Sequence, residues 1–240
     1  MTESTTRQDN QPAYVLHTYP YRETSLVVEV FSEHFGRVAM IAKGARRPRS
    51  AVRGVLMAFQ PLQVSWFGKS ELRTLRTAEW QGGQLPLKGL ALLCGFYLNE
   101  LLIRFLARDD PHPELFNYYQ HALQSLGRQD NEAITLRKFE RHMLQELGYA
   151  LTLEQEVESG SPIVPSSTYF FEPDKGPVLK SARENSVQLL GKTLLDMARD
   201  DYSDPVTVQQ SKQLMRTLIN HYLDNQQLHT RQILKDLQQL

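Results

Sequence analysis

The hydrophobic period of this chain changes once, between Gln81 and Pro86, and that change limits the fold more than any other feature. Before it, apolar residues recur at every second position in short runs. Tyr14–Thr18 is a β-rich run that stops at Pro20. Leu26, Val28 and Val30 alternate with Val27, Glu29 and Phe31. Val38, Met40 and Ala42 alternate with Arg37, Ala39, Ile41 and Lys43. Leu62, Val64 and Trp66 alternate with Gln63, Ser65 and Phe67, and Leu72–Ala78 follows a turn at Gly68-Lys69-Ser70. Five short strands at this spacing predict a small barrel or sandwich. Residues 1–12, polar and closed by Pro12, are expected to be disordered.

After Gln81-Gly82-Gly83-Gln84-Leu85-Pro86 the period is helical. Helices are expected over Leu90–Arg108, Glu114–Leu126, Asn131–Leu147, Val187–Ala198, Pro205 to about Leu223, and Thr230–Leu240. Residues 149–185, punctuated by Gly160, Pro162, Pro165, Pro173, Gly176 and Pro177, read as an irregular insert with one hairpin near Thr168–Phe171. The expected class is α+β, with a strand domain at 13–81 and a mostly helical domain at 85–240. The strand number fits the five-stranded barrel that binds oligonucleotides. Periodicity alone does not separate it from an SH3-like barrel.

Charge is distributed unevenly. The whole chain is formally neutral, yet Tyr14–Trp80 holds 10 Lys/Arg against 5 Asp/Glu. Within it, the 18 residues Gly36–Arg53 contain six cations (Arg37, Lys43, Arg46, Arg47, Arg49 and Arg53) and no carboxylate. Such a field suits a phosphate backbone. Strand parity puts Arg37 and Lys43 on one face, about 20 Å apart at ~3.3 Å per residue. Arg46, Arg47, Arg49 and Arg53 follow in a loop that Gly44 and Pro48 keep irregular and mobile. Arg73 and Arg76, three apart, fall on opposite faces. These cations can track phosphates without reading bases. Tyr19, Tyr21, Phe31, Phe35, Trp66 and Phe67 are available for stacking; alternation sends Trp66 inward and makes Phe67 the better candidate. The competing reading is a protein-binding adaptor whose basic loop serves acidic tails.

Other chemistries find little support. Gly68-Lys69-Ser70 lacks the upstream glycine of a phosphate-binding loop, since Gln63 stands there. The single cysteine, Cys94, lies in an apolar helix and reads as core. No two of the seven histidines are spaced for a helical metal site. No nucleophile-elbow or zinc-protease motif is present. Asp200, Asp201 and Asp204 precede a helix and are expected to serve its N-terminus. An enzyme is not expected, nor a cofactor. Without an apolar run of membrane-spanning length or a secretory leader, a soluble, cytoplasmic protein is expected.

Several ordered islands carry a resemblance. They are Tyr14-Val15-Leu16, Tyr21-Arg22-Glu23-Thr24-Ser25-Leu26, Phe31, Gly36-Arg37-Val38, Ala42-Lys43-Gly44-Ala45-Arg46, Phe59-Gln60-Pro61-Leu62 and Leu75-Arg76-Thr77-Ala78-Glu79. Gly95–Leu102, Leu115-Phe116, Tyr118-Tyr119, Leu136–Glu140 and Leu147-Gly148-Tyr149 continue the series. Over about residues 13–150 the chain closely resembles the RecO family of bacterial recombination mediators. The resemblance implies an N-terminal OB-fold that binds single- and double-stranded DNA, and a helical C-terminal domain. It also implies ATP-independent strand annealing and action with RecR, with the acidic-hydrophobic tail of single-stranded DNA-binding protein (SSB), and indirectly with RecA. Many members bind zinc through four cysteines after the Leu-Gly-Tyr segment. Here Glu154, Gln155, Glu156 and Glu158 stand in that region, so the family zinc site is expected to be absent. A receptor for the SSB tail needs a cation beside an apolar pocket. Arg137, Lys138 and Arg141, near Phe139 and Met143, are the candidates.

Overall fold

A computed structural model describes residues 7–149, 151–181, 183 and 186–237; side-chain surroundings are described to Ile233. It packs into two compact units. The first holds the chain up to Asp130 and takes it back from His229; the second is Asn131–Leu228. The boundary therefore lies about fifty residues beyond the change of period, and the helices between the two points belong with the strands.

Five strands open the first unit: β1 (Arg7–Tyr21), β2 (Ser25–Ser32), β3 (Gly36–Ala42), β4 (Pro61–Phe67) and β5 (Leu72–Trp80). A short helix α1 (Ala51–Val55) separates β3 from β4. The order is β1-β2-β3-β5-β4, and β1 also pairs with β4, closing a barrel. Only β3 and β5 run parallel. The alternation read from the sequence becomes the barrel interior: Val15, Val28, Val30, Val38, Met40, Leu62, Val64 and Trp66 are buried together. Val52, Val55 and Leu56 of the α1 region close it.

Strand β1 corrects one expectation. It begins at Arg7, not after Pro12, and runs through Pro20; residues 1–6 lie outside the described residues. Both prolines are tolerated because each falls where β1 has a single partner. Within the ladders Pro12 is opposite Gln63 of β4, its carbonyl still accepting from Glu33 N–H at 3.1 Å just past the end of β2, and Pro20 is opposite Leu26 of β2. The edge without a ladder tolerates a missing N–H.

The helices α2 (Gly89–Phe105) and α3 (Pro113–Gly127) cover part of the barrel's outside, with Tyr14 and Phe31 packed on Phe116 and Tyr119. Register slips by one at Leu16, between the Val15–Val30 and His17–Glu29 pairs. Asn99, buried in α2, donates to the Val15 and Leu16 carbonyls at 3.4 and 2.9 Å and accepts from the Tyr119 hydroxyl at 2.5 Å. Carbonyls disturbed by the bulge thus regain a partner. The last helix, α7 (His229–Leu237), returns to this unit, where the Glu100 carboxylate accepts from the N–H groups of His229 and Thr230 at 2.8 and 2.9 Å. Cys94 is buried in α2, as expected of a core thiol.

The second unit contains α4 (Glu132–Glu146), a small antiparallel sheet of β6 (Thr168–Glu172), β7 (Gly176–Val178) and β8 (Val187–Leu190) in the order β7-β6-β8, then α5 (Gly191–Ala198) and α6 (Pro205–Tyr222). The hairpin expected near Thr168–Phe171 is β6–β7. Val187–Leu190, expected as helix, is a strand. Val187 and Leu189 alternate inward, and the helix starts only at Gly191, whose Cβ position lies 2.0 Å from the Val164 carbonyl oxygen. Asp204 accepts from Val206 N–H at 2.9 Å, capping α6 as the sequence suggests.

Candidate nucleic-acid interface

The basic run is built by three short-range decisions of the chain. After β3 ends at Ala42, Ala45 turns inward and is fully buried in the barrel interior. Reverse turns then form, with Arg47 N–H donating to the Gly44 carbonyl and Ser50 N–H to the Arg47 carbonyl, both at 3.1 Å. The segment then enters α1, which carries Arg53. Lys43, Arg46, Arg47, Arg49 and Arg53 all emerge exposed. Among the described residues no carboxylate lies within ion-pair distance of these five. The sequence suggests a mobile loop; the structure shows a turn-rich segment fixed at its middle by Ala45.

This segment also holds the β1–β2 turn. The Arg46 N–H donates to the Thr24 carbonyl at 2.8 Å, and its guanidinium donates to the Arg22 carbonyl at 3.1 Å. Arg22, exposed and 5.3 Å from the Tyr21 ring centroid, thereby joins the basic group. Its position at a hairpin tip was the available sequence signal.

Two predicted residues are used otherwise. Arg37 lies on the outward face of β3, but at the end that α2 covers. Its guanidinium donates to the Ile103 carbonyl and lies 3.9 Å from the buried Glu29 carboxylate. A cation is well placed there, since the last turn of a helix leaves carbonyls unpaired. Gly36 beside it takes φ +64°, and a Cβ would stand 1.9 Å from the Asp110 carbonyl oxygen. The Gly36-Arg37-Val38 island is thus a docking point for the end of α2. Arg76 is exposed but sits 3.1 Å from Asp9, which also pairs with Arg7. Arg76 is also the bulged residue of β5, between the Ser65–Thr77 and Trp66–Leu75 pairs.

Of the aromatic residues, Phe31 and Trp66 are buried, and Phe35 packs edge-on against Trp66 at 5.2 Å. Phe67 remains at the surface at the end of β4, opposite Arg7 and Thr74, and Tyr19 is more exposed still.

On α4 of the second unit, Arg137 forms a two-point ion pair with the fully buried Glu140, both contacts 2.8 Å. Arg141 reaches both oxygens of Asp200 at 3.1 and 3.0 Å, and His142 lies 2.8 Å from the same carboxylate. Burial alone would raise the Asp200 carboxyl; the hydrogen bonds and charges of His142 and Arg141 outweigh it and hold the group at about 2. Phe139 and Met143 are core. Of the three cations placed on this helix for a peptide tail, only Lys138 is exposed. The Arg137–Glu140 pair has the i,i+3 spacing of helix neighbours, whereas the partner of Arg141 lies 59 residues on and left no local signal.

The segment after Tyr149 does not fit zinc. Glu156 accepts from the N–H groups of Glu158 and Ser159 and from the Ser159 hydroxyl, at 3.1, 2.6 and 2.5 Å. These bonds, that from Ser159 foremost, keep its carboxyl below the usual range. The turn is closed by side-chain-to-backbone hydrogen bonds. Among the described residues no helix is long and apolar enough to cross a membrane.

Comparison with known proteins agrees with this architecture. The family model described as recombination protein O N terminal matches residues 7–83, and the one described as recombination protein O C terminal matches residues 87–232. The DNA repair protein RecO of Nitrosospira multiformis is 58% identical over 236 residues, covering 98% of both chains. That of Aromatoleum aromaticum is 56% identical with the same coverage of each. That of Ralstonia nicotianae is 52% identical over 98% of this chain and 86% of its own length. A closed five-stranded barrel bearing a basic turn, a helical remainder and full-length relatives of one name agree: the chain belongs to the RecO family of DNA repair proteins.

Proposed function

We propose that this protein is a DNA-binding recombination mediator. It anneals complementary strands and, with RecR, helps to load RecA onto single strands coated by SSB. It acts by binding, without catalytic chemistry. The observation that carries this reading is the group Lys43, Arg46, Arg47, Arg49 and Arg53, exposed and free of carboxylate neighbours among the described residues, on a turn anchored in an OB-type barrel. Arg37 and Arg76 are set aside as primary DNA contacts because each already has a partner. Lys138 is the remaining α4 cation for an acidic tail such as that of SSB.

If about four cations neutralise phosphates of a single strand, log K falls with log salt at a slope near −3. That is roughly a 50-fold loss between 50 and 200 mM salt. Titration of a labelled oligonucleotide at these two concentrations tests the reading, and absence of binding at the lower one would overturn it. Annealing of SSB-coated strands should fall sharply when Arg46, Arg47 and Arg49 are all replaced by Glu.

A further inference from the structure

We infer that the outer face of β1 beside the basic turn is a base-stacking platform that selects unpaired over paired strands, with Tyr19 as its principal ring. This rests on the DNA-binding reading above and adds to it a choice of substrate.

The bulge at Leu16 resets the parity of β1, so that Thr18 pairs with the core residue Val28 and faces inward. His17, Tyr19 and Tyr21 therefore face outward together, opposite Glu29, Val27 and Ser25. Counting from Tyr14 without the bulge gives the opposite answer, which is how the sequence hides this row. At the other end of β1 the outward residue Tyr14 is covered by α3; Tyr19 is not, and is 44% exposed. A tyrosine left this open on a β-surface has not been placed there by core packing. His17 leans against it, ring centroids 4.4 Å apart, which limits the tyrosine's freedom before any ligand arrives.

Charge supplies the occupant. The row ends at Arg22, whose guanidinium stands over the Tyr21 ring, and Arg22 is tied to Arg46 of the basic turn. Lys43, Arg47 and Arg49 follow, with Glu23 the single carboxylate of the β1–β2 turn. Aromatic rings beside a row of cations match a nucleic-acid strand, whose bases offer π-faces and whose phosphates run alongside. Spacing favours a single strand. Outward positions on a β-strand are ~6.6 Å apart, about twice the 3.4 Å step of stacked bases in a duplex. A duplex cannot place successive bases on such rings; an unstacked strand can.

The test uses the full chain and three labelled probes of equal length: an oligothymidine strand, the same backbone without bases, and a blunt duplex. Tyr19→Ala should weaken oligothymidine binding about tenfold. It should leave the abasic strand, the duplex and the salt slope unchanged, and Tyr19→Phe should restore binding. Arg47→Glu should weaken all three probes and flatten the slope. Unchanged oligothymidine affinity in Tyr19→Ala would overturn the platform, as would an equal loss on all three probes. If wild type binds none of them at low salt, the DNA reading itself fails, and this inference with it.

Discussion

At the scale of single residues, the polar groups inside each unit are the sharpest test of the structure. Asn99 satisfies two carbonyls of the β1 bulge and the Tyr119 hydroxyl. Asn99→Leu keeps the volume but strands all three, and should cost about 2 kcal/mol, read as a fall in Tm of roughly 4–8 °C. Asp200 makes a pH prediction. Its carboxyl is held at about 2, below its ordinary 3.8, so the ionised form belongs to the folded state. The stability it contributes is complete above about pH 4 and is lost as pH falls towards 2. Because Asp200 is partly exposed, Asp200→Asn should cost only about 1–2 kcal/mol at neutral pH. It should also flatten the pH dependence of urea unfolding in that window. The sequence made the inward row Leu62, Val64 and Trp66 legible, because apolar alternation is local. It did not show the partners of Arg37 and Arg141, which lie 66 and 59 residues away, nor the burial of the local Arg137–Glu140 pair, which depends on what packs over α4.

At the scale of elements, the basic turn owes its shape to one small side chain. Ala45 is fully buried among the side chains that fill the barrel, and close-packed interiors resist added volume. Ala45→Leu should destabilise the protein by about 1–3 kcal/mol. It should also weaken oligonucleotide binding although no charge changes, because the turn carrying Lys43 to Arg49 must lift. Equal affinity in this variant, measured by anisotropy at low salt, would mean that charge density alone matters. Strands β2 to β5 were legible as elements; the extent of β1 was not. Pro12 and Pro20 read as stops unless one knows that β1 serves two partners in succession. The strand β8 was read as helix for a related reason: Val187–Leu190 is short, and its pairing with β6 lies some twenty residues away.

At the scale of the molecule, the division at Asp130 departs from the change of period because α2 and α3 pack on the barrel, and α7 comes home to the same unit. Glu100 caps it, and Arg231 donates to the Tyr97 hydroxyl at 3.0 Å while lying over that ring. Local periodicity carries no trace of such a return. A chain ending at Leu228 should therefore show faster amide exchange in α2, by a factor matching a loss of about 1–3 kcal/mol, with α4 and α6 unaffected. A chain leaving the ribosome completes its units in reverse of their first appearance. Everything the second unit needs lies between Asn131 and Leu228, so it can close while synthesis continues. The unit that bears the basic turn stays unfinished until the nine residues of α7, which follow the whole of the second unit, have emerged.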